Sequence, residues 1–302
     1  MTSCLPPPPL AAGSAVDTAE VRRPRGASDA VSPAAVQALV RATFNAAASH
    51  FDDPSLFFWD HCGTRTVELA GVAPGSRVLD VCCGAGAAAL PAARRVGPGG
   101  RVIGVDLAER LLARARAKAR ALGLDNVQFV EGDMNRLETA DGSMDVVVCA
   151  FGLYYAHDAP AALAGLWRAV RPGGTLAVTT WGRRALEPAS DMYLEAVAAE
   201  RPDLDAGNAL PWDHLNEPAT LTKAFIAGGV PPPTIDHETL VHPLRAADFW
   251  NVVLGSGYRV AVDAMGPDAA ERVRRALLQR LDREQVRAVV ADVLYARATK
   301  HR

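Results

Sequence analysis

The residues best suited to chemistry in this chain are acids that close apolar runs. Val78-Leu79-Asp80-Val81 carries an acid one residue before it breaks into a small, glycine-containing loop, Cys82-Cys83-Gly84-Ala85-Gly86, and a helical pattern follows. Asp106 stands 20 residues beyond Gly86, at the end of a second apolar run from Arg101 to Val105. A third run, Val127 to Val130, leads into Glu131-Gly132-Asp133-Met134. Asp80 can accept from an ammonium, and Asp106 from both hydroxyls of a ribose. Asp133 can accept from an exocyclic amine such as that of adenine, with the Met134 N–H meeting a ring nitrogen. Gly84 and Gly86 let the backbone approach a ligand with no Cβ in the way.

A dinucleotide site would place G-x-G-x-x-G in the first loop and set pyrophosphate on a helix N-terminus. Here the first and third glycines are absent from that frame, and Asp80 would face a pyrophosphate unfavourably. An NAD-dependent oxidoreductase is therefore the weaker reading, although Asp106 alone would suit it.

The elements that must carry these loops follow from the hydrophobic pattern. Residues 1–31 are rich in Pro, Ala, Gly and Ser without apolar periodicity, which predicts a disordered tail. Ser32-Pro33 predicts a helix start, with Val36, Leu39, Val40 and Phe44 on one face. A second helical stretch covers about 56–69. Strands are predicted at 77–81, 101–105, 127–130, 145–149 and 175–180, with helices at about 87–96, 108–122 and 160–170 between them. Later come a helix near 219–226, a strand at 234–241, helices at 249–254 and 268–281, and a last strand at 286–296. This alternation argues for an α/β, Rossmann-like, doubly wound sheet of seven mostly parallel strands. N-terminal helices (32–75) would precede the ligand-binding core (76–182), and a helical cap would be inserted late, within 183–302. Residues 32–302 then form one domain.

The whole chain supports this. It has 302 residues, 49% of them hydrophobic, enough for a sizeable core. Its net charge of −2 gives no electrostatic case for nucleic acid or an anionic membrane. The basic residues Arg110, Arg114, Arg116, Lys118 and Arg120 fall on one helix without interleaved aromatics, the pattern of a solvated face. The five cysteines, Cys4, Cys62, Cys82, Cys83 and Cys149, lack zinc-type spacing, and no metal is expected. They suit a reducing, cytoplasmic setting. No run approaches the roughly 20 apolar residues of a membrane span. A homodimer is compatible with the composition.

In VLDVCCGAG, GPGGRVIGVD, FVEGDMNRL, DGSMDVVVCAFGLYYAHD and RPGGTLAVTTW the chain resembles class I S-adenosylmethionine-dependent methyltransferases. The resemblance is close over residues 35–185 and looser beyond. It is to the ubiquinone/menaquinone-biosynthesis type and related small-molecule enzymes of secondary metabolism. It implies S-adenosylmethionine as cofactor, contacted by Asp80, Gly84, Gly86, Asp106, Asp133 and Met134. Cys82 and Leu107 lie in the same loops, and Cys149 to Phe151 would border the methionine end. Cys82 departs from the Gly or Ala usual there. The Asn/Asp-Pro-Pro-Tyr/Phe run of DNA-amino methyltransferases is replaced here by Cys149-Ala150-Phe151-Gly152, which disfavours that class.

Methyl transfer needs a nucleophile held in line with the S–CH3 bond, about 3 Å from the methyl, with water excluded. A base is required only for a protonated acceptor. His157 is the candidate, since imidazole titrates near neutrality; the other reading is that it merely opens the next helix or bonds a backbone carbonyl. Tyr154, Tyr155, Trp212, Trp250 and Tyr258 are candidate acceptor contacts. Phe44, Phe51, Phe57, Phe58 and Trp59 could form a lid or simply pack the N-terminal helices. The acceptor expected is a small aromatic or apolar molecule methylated at O, N or C. The other reading is a cyclase or rearrangement enzyme of the same fold that keeps the cofactor structurally.

Overall fold

The computed structural model describes residues 32–204 and 210–301. The predicted N-terminal tail lies outside them. Seven strands form one sheet: β1 (Arg77–Val81), β2 (Arg101–Asp106), β3 (Val127–Glu131), β4 (Met144–Ala150), β5 (Val170–Glu187), β6 (Thr234–Pro243) and β7 (Ala288–Thr299). Their spatial order is β3-β2-β1-β4-β5-β7-β6. β1 to β5 pair in parallel, and β7 runs antiparallel to both β5 and β6. The sheet is thus mostly parallel and doubly wound, as the alternation predicted.

The helices are α1 (Pro33–Ala47), α2 (Phe58–Leu69), α3 (Ala89–Val96), α4 (Glu109–Ala121), α5 (Ala159–Ala169), α6 (Ala189–Glu200), α7 (Pro218–Ala227), α8 (Ala246–Leu254), α9 (Arg259–Met265) and α10 (Pro267–Arg283). Local chemistry starts and stops them. The Ser32 hydroxyl accepts from the Ala35 N–H at 3.2 Å, and Pro33 opens α1. Asp158 accepts from the Ala161 N–H at 2.9 Å and caps α5. Gly123, at φ 65°, follows α4 in the left-handed conformation that ends a helix.

β4 is covered on both faces, which explains its continuous apolar run. Along β1, Leu79 and Val81 face one core layer while Val78 faces the other. Asp80 shares the Val78 side by strand alternation.

Two elements differ from the sequence reading. β5 continues past Thr180 to Glu187, through polar Gly182-Arg183-Arg184. Gly182 has no Cβ, and one there would lie 2.7 Å from Asp292 Cβ on β7. Arg184 makes two hydrogen bonds of 2.8 Å to the Asp292 carboxylate, so the pair carries the ladder through a stretch that lacks alternation. The second difference is α9, a seven-residue helix between the two predicted late ones.

The chain runs β1-β2-β3 outward on one side and returns to place β4 on the other side of β1. That reversal leaves a crevice beyond the carboxyl ends of β1 and β4, where open α/β sheets bind ligands.

Candidate functional site

A cavity of about 490 Å³ opens in that crevice. Its floor comes from the loops after β1, β2 and β3, and its far wall from the turn after β4. α1 lies across it.

Asp80 lines the cavity at 1% exposure, and neither carboxylate oxygen has a hydrogen-bond partner among the described residues. Burial pushes its carboxyl up to about 8, with a further push from the charge of Asp106. An orphaned buried carboxyl is expensive unless something arrives to meet it. Asp106 is tied down instead. Its two oxygens accept from the Gly84 and Ala108 N–H groups, each at 2.8 Å, which locks the loops after β1 and β2 together. Burial raises its pKa, and these backbone donors oppose the shift. Asp133 Oδ1 accepts from the Asn135 N–H at 2.9 Å and from Asn135 Nδ2 at 2.8 Å.

The turns beside these acids are held in the left-handed region. Cys82 has φ 61° and Phe151 φ 54°, at the ends of adjacent strands β1 and β4. Side chains rarely adopt this conformation outside sites that require it. The two turns meet at Gly152, where a Cβ would lie 2.4 Å from Cys82 Cβ and 3.0 Å from Cys149 Sγ. The neighbouring Cys149 thiol, with burial, holds the Cys82 thiol well above its usual pKa, so it stays protonated.

Aromatic rings form the apolar side. Phe51 stacks on Trp59 at 5.2 Å, Trp59 meets Phe151 edge-on at 5.4 Å, and Phe44 meets Tyr155 edge-on at 5.4 Å; all five line the cavity. Trp59 Nε1 is buried without a hydrogen-bond partner among the described residues. Burial raises the Tyr155 phenol, so it remains a neutral donor. His157 borders the cavity at its exposed mouth, beside the α5 cap residue Asp158.

Of the residues singled out from sequence, Asp80, Cys82, Gly84, Asp106, Leu107, Asp133, Met134, Phe151, Tyr155 and His157 line this one cavity. The lid candidates Phe44, Phe51 and Trp59 join them, and the remaining candidates sit outside its lining. Gly86, at φ 90°, turns its Cα toward Leu90 and Phe129, so it shapes the loop from behind. Cys149 is fully buried under Gly152. Tyr154, Trp212 and Tyr258 are buried in the core behind Tyr155, in edge-on contacts of 5.8 Å and 5.5 Å along the row. The Tyr258 hydroxyl donates to the Ala185 carbonyl at 3.1 Å, which fixes it as support. Trp250 joins the same row through Tyr193 at 6.4 Å. Sequence reasoning missed Gln37 and Arg41 of α1, which also line the cavity. Gln37 Nε2 donates to Asp133 Oδ2, and Arg41 pairs with Glu131 at 2.6 Å. No local pattern marks contacts so distant along the chain.

A methyltransferase-domain family profile matches residues 78–174. The chain is 43% identical over 119 residues to an uncharacterised protein of Mycobacterium tuberculosis, covering 39% of this chain and 42% of that relative's length. It is 32% identical over 251 residues to the nocamycin O-methyltransferase of Saccharothrix syringae, covering 76% of this chain and 88% of that enzyme. Among solved structures, the YcgJ protein of Bacillus subtilis superposes with a TM-score of 0.52 at 18% identity, over 80% of this chain and 99% of that one. That last likeness is one of fold. The cofactor of these enzymes carries an ammonium, a ribose diol and an adenine. An unpartnered buried carboxyl, a backbone-braced acid and a third acid on three successive strand ends suit those groups in turn. The cavity and the near-full-length match to the nocamycin enzyme agree: the chain belongs to the S-adenosylmethionine-dependent methyltransferases.

Proposed function

We propose that this protein methylates a small, aromatic or otherwise apolar metabolite at oxygen, nitrogen or carbon, in a pathway of secondary metabolism. The observation that carries the reading is Asp80: a buried carboxyl with both oxygens free, facing the same cavity as Asp106, Asp133 and a wall of aromatic rings. When bound, S-adenosylmethionine supplies a methyl group already activated on positive sulfur.

The chain's own residues do the rest. Asp80 holds the ammonium, Asp106 the ribose hydroxyls, and Asp133 with the Met134 N–H the adenine edge. Phe44, Phe51, Trp59, Phe151 and Tyr155 exclude water and seat a flat acceptor, so that proximity supplies most of the rate. The unpartnered Trp59 N–H is a donor available to orient an acceptor oxygen. For a hydroxyl acceptor, the His157 imidazole takes the departing proton at the cavity mouth.

The test is calorimetry with S-adenosylhomocysteine, followed by incubation of the protein and S-adenosylmethionine with phenols, quinones and amines. Micromolar binding and a product heavier by one methyl group support the reading. A product of unchanged mass would instead mark a rearrangement, and binding of nicotinamide nucleotides in place of the adenosyl compound would overturn it.

A further inference from the structure

α1 touches the two halves of the cavity with two neighbouring ridges. Val36, Val40 and Phe44, spaced four apart, line it on one ridge. Gln37 and Arg41, also four apart, reach Asp133 in the loop after β3 and Glu131 at the end of β3 on the next. The target of Gln37 matters most. Asp133 Oδ1 is taken up by Asn135, which holds the turn at Met134–Arg136. The other oxygen, Oδ2, accepts from Gln37 Nε2. The donor is a planar –NH2 group conjugated to an sp² carbon, the same kind of donor as the exocyclic amine of adenine.

We propose that Gln37 is a positioning residue that occupies the place of the adenine amine at Asp133 in the free protein, and that the cofactor must displace it. This rests on the reading that Asp133 receives adenine. Displacement releases Gln37 from the adenine side and leaves the Arg41–Glu131 pair as the polar contact of α1 with the end of β3. Because Phe44 on the same helix packs edge-on against Tyr155 at 5.4 Å, the acceptor wall shifts with it. Adenine occupancy is thereby coupled to the shape of the acceptor chamber, and binding is ordered, cofactor first. A helix can be moved this way only by a ligand that interacts differently with its two positions, and competition for one carboxylate oxygen supplies that difference.

The experiment is calorimetric titration of the full chain with S-adenosylhomocysteine and with its analogue carrying hydrogen in place of the C6 amine. Wild type is compared with Gln37→Leu, the near-isosteric Gln37→Met, and Arg41→Ala. Both Gln37 variants should tighten S-adenosylhomocysteine roughly three- to tenfold, the net worth of one ordinary hydrogen bond. The analogue should change by less than about twofold, since it makes no claim on Asp133. Arg41→Ala loosens α1 without freeing Asp133, so the ratio of the two affinities should stay at its wild-type value. An unchanged ratio in the Gln37 variants, or weaker S-adenosylhomocysteine binding, overturns this inference alone. Failure of the wild type to bind either compound overturns the cofactor reading beneath it.

Discussion

Burial pushes the Asp80 carboxyl up to about 8, so in the free protein it is mostly protonated near neutral pH. Binding an ammonium requires the carboxylate. Cofactor affinity should therefore fall about tenfold per pH unit below about 8, with one proton released on binding, detected as a buffer-dependent enthalpy. The stability of the free protein runs the other way. A carboxyl raised in the folded state contributes stability at low pH that is lost as pH climbs from about 4 through about 8. The melting temperature should thus show a growing gain from S-adenosylhomocysteine between about pH 6 and pH 8. Asp80→Asn should remove this dependence and weaken binding about tenfold or more, measured by calorimetry, because it deletes a charge-assisted contact. His157→Ala should lower turnover of a hydroxyl acceptor roughly a hundredfold while leaving S-adenosylhomocysteine affinity nearly unchanged. Equal turnover in the variant would remove His157 from the chemistry.

The cofactor loops depend on elements meeting at distances that only glycine permits. Gly63 of α2 faces the loop after β1, where an added Cβ would lie 2.4 Å from the Ala87 carbonyl oxygen, and Ala87 and Ala88 line the cavity. Gly63→Ala should push α2 off this loop. The expected result is a loss of about 1–3 kcal/mol in denaturant unfolding together with weaker cofactor binding. This docking was hidden from the sequence, where Gly63 reads as an indifferent residue inside a helix. The strands were legible because buried parallel strands must be continuous apolar runs, and their ends because acids and glycines interrupt them. β5 beyond Thr180 was not, since its continuation is held by the Arg184–Asp292 pair, 108 residues apart, rather than by alternation. Tyr154 and Tyr155 sit side by side in the short turn Leu153–Tyr155, and only the fold decides that Tyr155 faces the cavity. α9, at seven residues, is too short to show a helical period.

Across the whole molecule, the acceptor side is assembled from distant parts of the chain. The N-terminal helices and the late cap meet along a seam. Asn251 Nδ2 donates to Asp53 at 3.1 Å, and Gly255 lies flat against Leu56 and the His50 carbonyl. Gly257 leaves room for the Tyr155 hydroxyl, which would stand 2.3 Å from a Cβ there. Asn251→Ala should loosen the seam by about 1 kcal/mol. It should raise KM for the acceptor while S-adenosylhomocysteine affinity holds; equal loss of both would mean that the seam supports the entire cavity. The acids proposed to hold the cofactor, Asp80, Asp106 and Asp133, lie on or just after β1 to β3, away from this seam. The protein is therefore divisible as an engineering object. The segment around 246–265 can be exchanged with that of a relative to redirect which molecule is decorated, while the donor-handling half is inherited intact; α1 cannot, because Gln37 and Arg41 reach Asp133 and Glu131 in that half.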